Sequence, residues 1–502
     1  MNEAFLPLRD KLIEIGDLQS AINVLDWDQS THMPPKGATA RGRQLATLNR
    51  LVHELRVAPA MTKLLDELSA KAADLPPDAP EAAMHRLARL SHERARKLPA
   101  EFVGELSEHL SRSFTTWTQA RPNNDFSAVQ PFLEKTVEFS RRYSEYMGGG
   151  DHPADPLIDI HDRGMTAKIV SELFADLRRE LVPLVEKIGA RPSPEASFLA
   201  LAYGKDDQLA LGRAAIEKIG YDFERGRQDL THHPFMVRFS AGDVRITTRV
   251  LDQGFGDSFF GTVHECGHAL YELGIDESYD GTPLGEGVSA GVHESQSRLW
   301  ENQVARSRAF WTWFLPTAQK RFPEQLRGVD VDTFYRACNR MERGLIRVDA
   351  DEVTYNLHVM IRFDLELQLL DGSLKVADLP EAWNARYESD LGVRPDADRN
   401  GVLQDVHWYC EKVGGLFQGY TLGNLMAAQF FQAANAAHPD LEAQFAEGEF
   451  STLRTWLKDH VHQHGSVFEP LDLVERATGS PLSAQPFLSY LKTKFGELYD
   501  LQ

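Results

Sequence analysis

Residues 255–273 read FGDSFFGTVHECGHALYEL, and this stretch decides how the rest of the chain is interpreted. Its composition and spacing predict a largely buried helix. It carries His264, Glu265 and His268, and positions i and i+4 of a helix lie on the same face. Two imidazoles placed in this way can bind one Zn²⁺, and the intervening glutamate can act on a metal-activated water. The stretch therefore predicts a metal-binding helix.

A catalytic zinc ion needs a third protein ligand as well as an open position. No further histidine follows His268 at the short spacing of the HExxHxxGxxH form, so the third ligand must come from later in the chain. Residues 285–304, GEGVSAGVHESQSRLWENQV, form the next predicted helical stretch. We choose Glu294 in this stretch as the third ligand, with Glu286 as the alternative.

Three residues close to these candidates receive other predictions. We expect His293 to lie beside the metal site, because a fourth protein ligand would close it. Glu301 is seven residues after Glu294 and shares its helix face, so it either orients a ligand or forms a surface salt bridge. Cys266 points away from His264 around the helix, which predicts a residue of the hydrophobic core.

Helical periodicity extends over most of the chain. The stretches with this spacing are 10–25, 44–55, 81–98, 126–146, 167–188, 331–346, 355–370 and 416–434. Residues 236–250 instead alternate apolar and polar residues around a Gly-containing turn, which predicts a short hairpin. We expect Arg245 in this hairpin to be structural, paired with Asp243 or a later acid. The fold class is therefore mainly α, with a small sheet just before the metal-binding helix.

Composition limits the partners and the compartment. The 502 residues carry a formal net charge of −20, which disfavours binding to nucleic acid or to anionic membranes. The three cysteines are far apart and form no CxxC pair, which favours a reducing compartment. The sequence has no run of 18 apolar residues and no signal-peptide pattern at its start. We expect a soluble, cytoplasmic protein.

Several strings resemble the motifs of one family, the M32 metallocarboxypeptidases, which are named for the Taq carboxypeptidase. Six strings occur in that family's order: HPF (233–235), DVRIT (243–247), HECGH (264–268), HESQ (293–296), IRVDAD (346–351) and GVLQDVHW (401–408). The string LDWDQSTHMP (25–34) also resembles the family. The resemblance implies removal of single residues from the C-termini of peptides that have a free C-terminal carboxylate.

The resemblance also implies a site and a fold. It implies Glu265 as general base and acid, and a metal held by His264, His268 and Glu294. The metal is expected to be one Zn²⁺ per chain, replaceable by another divalent ion such as Co²⁺. The implied fold is similar to neurolysin and angiotensin-converting enzyme: residues 1–502 form one catalytic domain of two lobes around a deep groove, with the metal-site core at about 230–425. A homodimer is implied as well.

Hydrolysis of a peptide bond also needs hydrogen-bond donors for the developing oxyanion. The candidates are His407 and Tyr420. Tyr420 stands in GYTLGN (419–424), which resembles the substrate-tyrosine segment of the wider superfamily.

An exopeptidase must also recognise the terminal carboxylate of its substrate. We choose Arg347 as the substrate-binding residue, because a planar guanidinium matches a carboxylate through two hydrogen bonds. The alternative is a structural salt bridge from Arg347 to Asp349, Asp351 or Glu352. Asp405 is expected to orient His407 or a neighbouring helix, and we assign it no chemical role.

Two rival functions share parts of this pattern. A zinc endo-oligopeptidase would use the same metal chemistry, and only the other motifs favour exopeptidase action. A non-catalytic helical binding protein with a structural metal is the second rival. Glu265 argues against it, because a structural metal site does not need a base.

Overall fold

The computed structural model describes residues 2–501, and α-helices dominate it. The helices are α1 (Leu6–Thr31), α2 (Ala38–Val57), α3 (Pro59–Ala73), α4 (Pro80–Lys97), α5 (Ala100–Asn123), α6 (Phe126–Met147), α7 (Asp155–His161), α8 (Ala167–Gly189), α9 (Lys205–Ile219), α10 (Gly256–Gly274), α11 (Ala290–Arg298), α12 (Arg308–Arg321), α13 (Val331–Cys338), α14 (Tyr355–Asp371), α15 (Leu379–Leu391), α16 (His407–Cys410), α17 (Gln418–Ala437), α18 (Leu441–Ala446), α19 (Ser451–His460), α20 (Pro470–Thr478) and α21 (Gln485–Leu498). The mainly helical prediction is confirmed.

The chain divides into two compact units, each made of three segments. The first unit comprises Met1–Arg96, Glu195–Cys338 and Ala427–Pro481. The second unit comprises Lys97–Pro194, Asn339–Met426 and Leu482–Gln502. Among the residues that the structure describes, no helix combines the length and the apolar composition that crossing a bilayer would require.

The first unit contains a three-stranded sheet in the order β1 (Gln228–Leu230), β3 (Asp243–Thr248), β2 (Met236–Ser240). Strands β2 and β3 are antiparallel, which confirms the predicted hairpin, and β1 adds to β3 in parallel. Arg245 donates to both carboxylate oxygens of Asp243 at 2.8 and 2.7 Å, so its expected structural pairing is also found. Strand β1 was not predicted, because three residues are too few to show a period.

The ends of two predicted helices differ from the structure. The predicted helix at 331–346 ends at Cys338 as α13. Beyond it, the backbone N–H of Met341 donates to the hydroxyl of Tyr499, and that of Glu342 donates to Asp351. Distant side chains therefore satisfy donors that a longer helix would have used internally.

The predicted helix at 285–304 begins later and changes type. Ser289 caps the start of α11 by accepting a hydrogen bond from the backbone N–H of Val292 at 3.1 Å. The helix then continues as a π-helical segment, Leu299–Ala305, which contains Glu301. Such wide turns are often found at functional sites.

Helices α10 and α11 approach each other closely at Gly267. A Cβ atom at this position would lie 2.6 Å from the backbone oxygen of Gln296 and 2.6 Å from the Cα atom of Ser297. Only glycine permits this backbone separation, and the approach brings the two predicted ligand helices together. Cys266, on the same helix, is fully buried, as predicted for a core residue.

Candidate active site

The three predicted metal ligands meet in the first unit. His264 and His268 of α10 and Glu294 of α11 each offer one donor atom, and these atoms all lie within 4.8 Å of one another. Glu294 Oε2 is 3.6 Å from His264 Nε2 and 3.4 Å from His268 Nε2. We call these three residues the metal cluster. Glu286, the alternative third ligand, is exposed and is not part of this group.

His264 is oriented by a carboxylate. Its Nδ1 atom lies 3.0 Å from Glu301 Oε2, so a proton on Nδ1 would be donated to Glu301. That assignment leaves the Nε2 lone pair directed at Glu294 and available to a cation. Arg306 donates to the other oxygen of Glu301 at 3.1 Å and fixes the carboxylate in turn. Of the two predictions for Glu301, the structure therefore favours orientation of a ligand.

His268 is oriented through a second histidine. Its Nδ1 atom lies 2.7 Å from Nδ1 of His293, and His293 Nε2 lies 2.9 Å from Glu272 Oε1. The consistent arrangement of protons has His268 donating to His293 and His293 donating to Glu272. The backbone N–H of Gly287 also donates to Glu272, at 3.0 Å. His293 thus lies beside the metal cluster, where its position in the sequence predicted it.

The electrostatics of the metal cluster favour positive charge. Burial by itself raises the pKa of Glu294, but Arg298 and the two imidazoles outweigh it and hold this pKa well below its usual range. Arg298 donates to Glu294 Oε1 at 2.7 Å. Burial opposes a charge on His264 too, yet Glu294 and Glu301 raise its pKa. A bound cation would replace the proton that the raised pKa favours on His264.

Two further pKa shifts bear on the chemistry of this region. Burial lowers the pKa of His268 to about 3, which keeps the imidazole in the neutral form that binds metals. Glu265 lies between the two histidines on α10 and is only 6% exposed. Burial raises the pKa of Glu265 to about 7, the range expected of a group that both accepts and returns a proton.

The donor set fits a zinc ion. Two imidazole nitrogens and one carboxylate oxygen are the His₂Glu ligand set of catalytic zinc sites, which leave a fourth position open. Such sites also need partners that orient the ligating histidines. His264 has a carboxylate in this position, and His268 has a second histidine that contacts a carboxylate. The residues present therefore fit a divalent metal.

Arg347, in the second unit, is nearly buried and has a partner that the sequence did not suggest. Its Nη2 atom donates to Asp405 Oδ1 at 2.7 Å, and its Nε atom lies 3.2 Å from both oxygens of Asp405. Arg347 therefore forms a buried salt bridge, as the alternative expected, but its partner is Asp405 in place of the three expected acids. Asp351 accepts from Thr354 at 2.7 Å, and Glu352 accepts from Lys494 at 2.7 Å.

A second guanidinium shares the same carboxylate. Arg362 of α14 is fully buried and donates to Asp405 Oδ2. We call Arg347, Arg362 and Asp405 the arginine cluster. Burial raises the pKa of Asp405, but the two arginines outweigh it and hold this pKa well below its usual range. Gln404 joins the two arginines, since its Oε1 atom accepts from the backbone N–H of Arg347 at 2.9 Å and from Arg362 Nη2 at 2.8 Å.

Sequence reasoning missed Arg362 and Gln404. Arg362 stands among apolar residues in the predicted helix 355–370, and a charge in such a stretch was an available signal. Gln404 stands within GVLQDVHW but received no role. Asp405 was expected to orient His407 or a neighbouring helix, and it accepts hydrogen bonds from Arg347 and from Arg362 of α14.

Tyr420 and His407 also lie in the second unit. The guanidinium carbon of Arg347 lies 5.2 Å from the ring centroid of Tyr420, so the structure brings these two predicted residues together. The ring of His407 packs edge-on against Phe417 at a centroid distance of 5.4 Å. His407 Nδ1 lies 3.7 Å from Glu411 Oε1.

Comparison with known proteins identifies the family and the fold. The family model "Carboxypeptidase Taq (M32) metallopeptidase" matches residues 7–495. The chain is 43% identical over 486 residues to thermostable carboxypeptidase 1 of Thermus thermophilus, covering 94% of each chain. It is 38% identical to carboxypeptidase 1 of Bacillus subtilis, covering 98% of this chain and 97% of the relative. The fold matches the crystal structure of an M32 carboxypeptidase from Deinococcus radiodurans R1 with a TM-score of 0.97, at 49% identity and with 100% of both chains covered.

The chain belongs to the M32 family of metallocarboxypeptidases. It is therefore an enzyme that hydrolyses peptides and depends on a divalent metal ion. The family resemblance seen in the sequence is confirmed, and so is the mainly helical fold.

Proposed function

We propose that the chain is a zinc-dependent carboxypeptidase that releases single amino acids from peptide C-termini, with His264, His268 and Glu294 as the zinc ligands. The observation that carries this proposal is the metal cluster, with its three donor atoms within 4.8 Å of one another. A bound zinc ion would supply a Lewis acid that polarises the scissile carbonyl and lowers the pKa of a coordinated water. Co²⁺ is expected to substitute for zinc.

Glu265 is proposed to move the protons of the reaction. It accepts a proton from the attacking water and returns one to the leaving amine. Its burial supports this role, because a shielded carboxyl group exchanges a proton with a neighbouring reactant rather than with bulk solvent. Glu301 and His293 support the site by orienting His264 and His268.

Arg347 is proposed to bind the terminal carboxylate of the substrate. The arginine cluster holds two guanidinium groups against one carboxylate, so it carries surplus positive charge and favours an anion. Asp405 engages the Nε and Nη2 edge of Arg347, whereas Nη1 donates to the hydroxyl of Tyr355 at 3.1 Å. Asp405 thus fixes the guanidinium plane without using all five of its N–H groups. His407 and Tyr420 are proposed to donate hydrogen bonds to the oxyanion.

A time course with one model peptide tests the function. The zinc-loaded enzyme is incubated with a peptide that has a free C-terminus, and the products are followed by mass spectrometry. We expect a ladder of single-residue losses from the C-terminus, and none with Glu265→Gln at matched zinc content. Internal cuts would indicate an endo-oligopeptidase instead, and an inert, zinc-bound protein would indicate a structural metal.

Three further expectations complete the proposal. A homodimer, as the resemblance implies, would give twice the chain mass in light scattering. Residues 1–502 are proposed to form a single catalytic domain, similar in fold to neurolysin and angiotensin-converting enzyme. All three cysteines have free thiols, which suits a cytoplasmic enzyme, and fractionation of the source cells would test that location.

A further inference from the structure

A second group of metal-binding side chains lies in the second unit. His407, Cys410 and Glu411 each offer one donor atom, and these atoms all lie within 4.8 Å of one another. His407 and Cys410 belong to α16, and Glu411 follows as the first residue after it, in extended conformation. None of these residues belongs to the metal cluster or to the arginine cluster.

One atom of this group lacks the partner that its burial requires. His407 Nδ1 is shielded from solvent and forms no hydrogen bond. Glu411 Oε1 is 3.7 Å away, which is within ion-pair distance but too far for a hydrogen bond. Buried polar atoms in folded proteins are nearly always satisfied, so this nitrogen is open to a partner such as a cation. A cation between the nitrogen and the carboxylate would satisfy both.

The cysteine makes the group selective for soft metals. Burial raises the pKa of the Cys410 thiol to about 11, so it stays protonated when no metal is bound. Coordination would remove that proton, and thiolates select ions such as Zn²⁺ and Cd²⁺ over Mg²⁺ or Ca²⁺. The thiol is only partly buried, so an ion can reach it.

Besides His407, two basic residues, His161 and Lys412, act on the Glu411 carboxylate. Lys412 follows it in the chain, but the ammonium lies 5.0 Å from the ring centroid of Tyr143, a cation–π distance. Burial lowers the pKa of His161, the last residue of α7, so this imidazole is neutral near pH 7.

We propose that His407, Cys410 and Glu411 bind a second divalent metal ion of the zinc type. Coordination through Nδ1 leaves the proton of His407 on Nε2 and fixes the ring. This consequence rests on the proposed function: a metal here would hold His407 as the hydrogen-bond donor that the oxyanion needs. The metal would support His407 without touching the substrate.

Cobalt titration tests the binding site. Metal-stripped protein is titrated with Co²⁺ while near-ultraviolet absorption reports thiolate-to-cobalt charge transfer and mass spectrometry of metals reports stoichiometry. The wild type should bind two equivalents, one of which produces the charge-transfer band. Cys410→Ser should lose the band and bind the second equivalent at least about tenfold more weakly, while Glu411→Gln should keep the band with weaker binding.

Matched variants make the result specific. Cys338→Ser changes a buried cysteine of the first unit and should keep the band. His264→Ala with His268→Ala should lose one equivalent and also keep the band, whether or not the metal cluster has the function proposed for it. A wild-type protein that binds one equivalent without the band overturns the second site, as does a Cys410→Ser variant that still binds two equivalents unchanged.

Activity measurements separate binding of the second metal ion from its proposed effect on His407. With the first equivalent of metal in place, Cys410→Ser should lower kcat by about tenfold with little change in KM. Loss of the band with unchanged kcat would support the second metal site and overturn the role of His407. Melting curves of both variants report whether the fold is retained.

Discussion

The metal cluster and the arginine cluster are both buried networks of charge, but they carry opposite surpluses. Around the metal cluster, carboxylates outnumber guanidinium groups: Glu265, Glu272, Glu294 and Glu301 are buried there, beside Arg238, Arg298 and Arg306. In the arginine cluster, two guanidinium groups share one carboxylate. The first arrangement favours a cation and the second an anion. The net charge of −20 predicts neither preference, because in a buried site the nearest charged groups dominate the electrostatics.

The clusters also differ in how they respond to the loss of one member. In the metal cluster each histidine has its own outer partner, Glu301 for His264 and His293 for His268. In the arginine cluster both arginines depend on Asp405. The substitutions below test that difference, and they follow in order of decreasing expected effect.

The largest effect is expected from removing a metal ligand. Glu294→Ala takes away the carboxylate between the two imidazoles, so bound zinc should fall from one equivalent to nearly none and activity should be lost with it. Glu286→Ala is the matched control, because this exposed glutamate lies outside the cluster. Metal content is measured by mass spectrometry after dialysis. Retention of zinc in Glu294→Ala with loss in Glu286→Ala would reverse the assignment.

The second prediction separates binding from chemistry within the same cluster. Glu265→Gln keeps the side-chain volume but cannot accept a proton, so kcat should fall by about 10²–10⁴-fold at unchanged zinc content. The variant should fold normally, since an amide is cheaper to bury than a carboxylate. Near-normal turnover of the zinc-loaded variant would eliminate Glu265 as the base.

The third prediction addresses the arginine cluster. Arg347→Ala removes the proposed carboxylate contact but leaves Asp405 paired with Arg362, so cleavage of free-acid peptides should weaken by about 2–5 kcal/mol with only a modest change in melting temperature. Amidated peptides should lose much less, and Arg347→Lys should recover little. The measurement is kcat/KM for a matched pair of peptides.

Asp405→Asn is the contrasting variant for that experiment. It leaves both arginines without a charged partner, which should cost about 3–5 kcal/mol of unfolding free energy. Equal losses on both peptides in Arg347→Ala, together with a large drop in melting temperature, would mean that Arg347 is structural and would refute the carboxylate contact.

The smallest effect is a pH dependence of stability at Glu366 of α14. This side chain is 2% exposed, accepts a hydrogen bond from Trp408 Nε1 at 2.8 Å, and has a second oxygen without a partner. Burial raises its pKa from the ordinary value of 4.5 to about 8. Between these two pH values the folded state holds more protons than the unfolded state. The contribution of Glu366 to the unfolding free energy therefore falls as pH rises, by at most about 1.4 kcal/mol per pH unit.

Glu366→Gln should remove that slope, because the amide does not titrate. Chemical denaturation at pH 6 and pH 8 measures it, with the exposed Glu388→Gln as the control. A slope that is unchanged in Glu366→Gln would show that this carboxyl group is not the source.

Local spacing determined much of the candidate site from the sequence. His264 and His268 lie on one face because a helix repeats every 3.6 residues, whatever surrounds it. The hairpin of β2 and β3 was equally predictable, since alternation and a glycine turn are local signals. The end of α13 was not, because side chains far along the chain, Tyr499 and Asp351, take over its backbone donors.

The sequence by itself determined the motif helix, the residue types available to a metal and the family to which the chain belongs. Only the tertiary structure decided the partners: Glu301 for His264, His293 for His268, and Asp405 for Arg347, which is 58 residues away in the chain. The physical reason is that charges are paired by distance in the folded protein. Spacing along the sequence predicts that distance only within a single helix or hairpin.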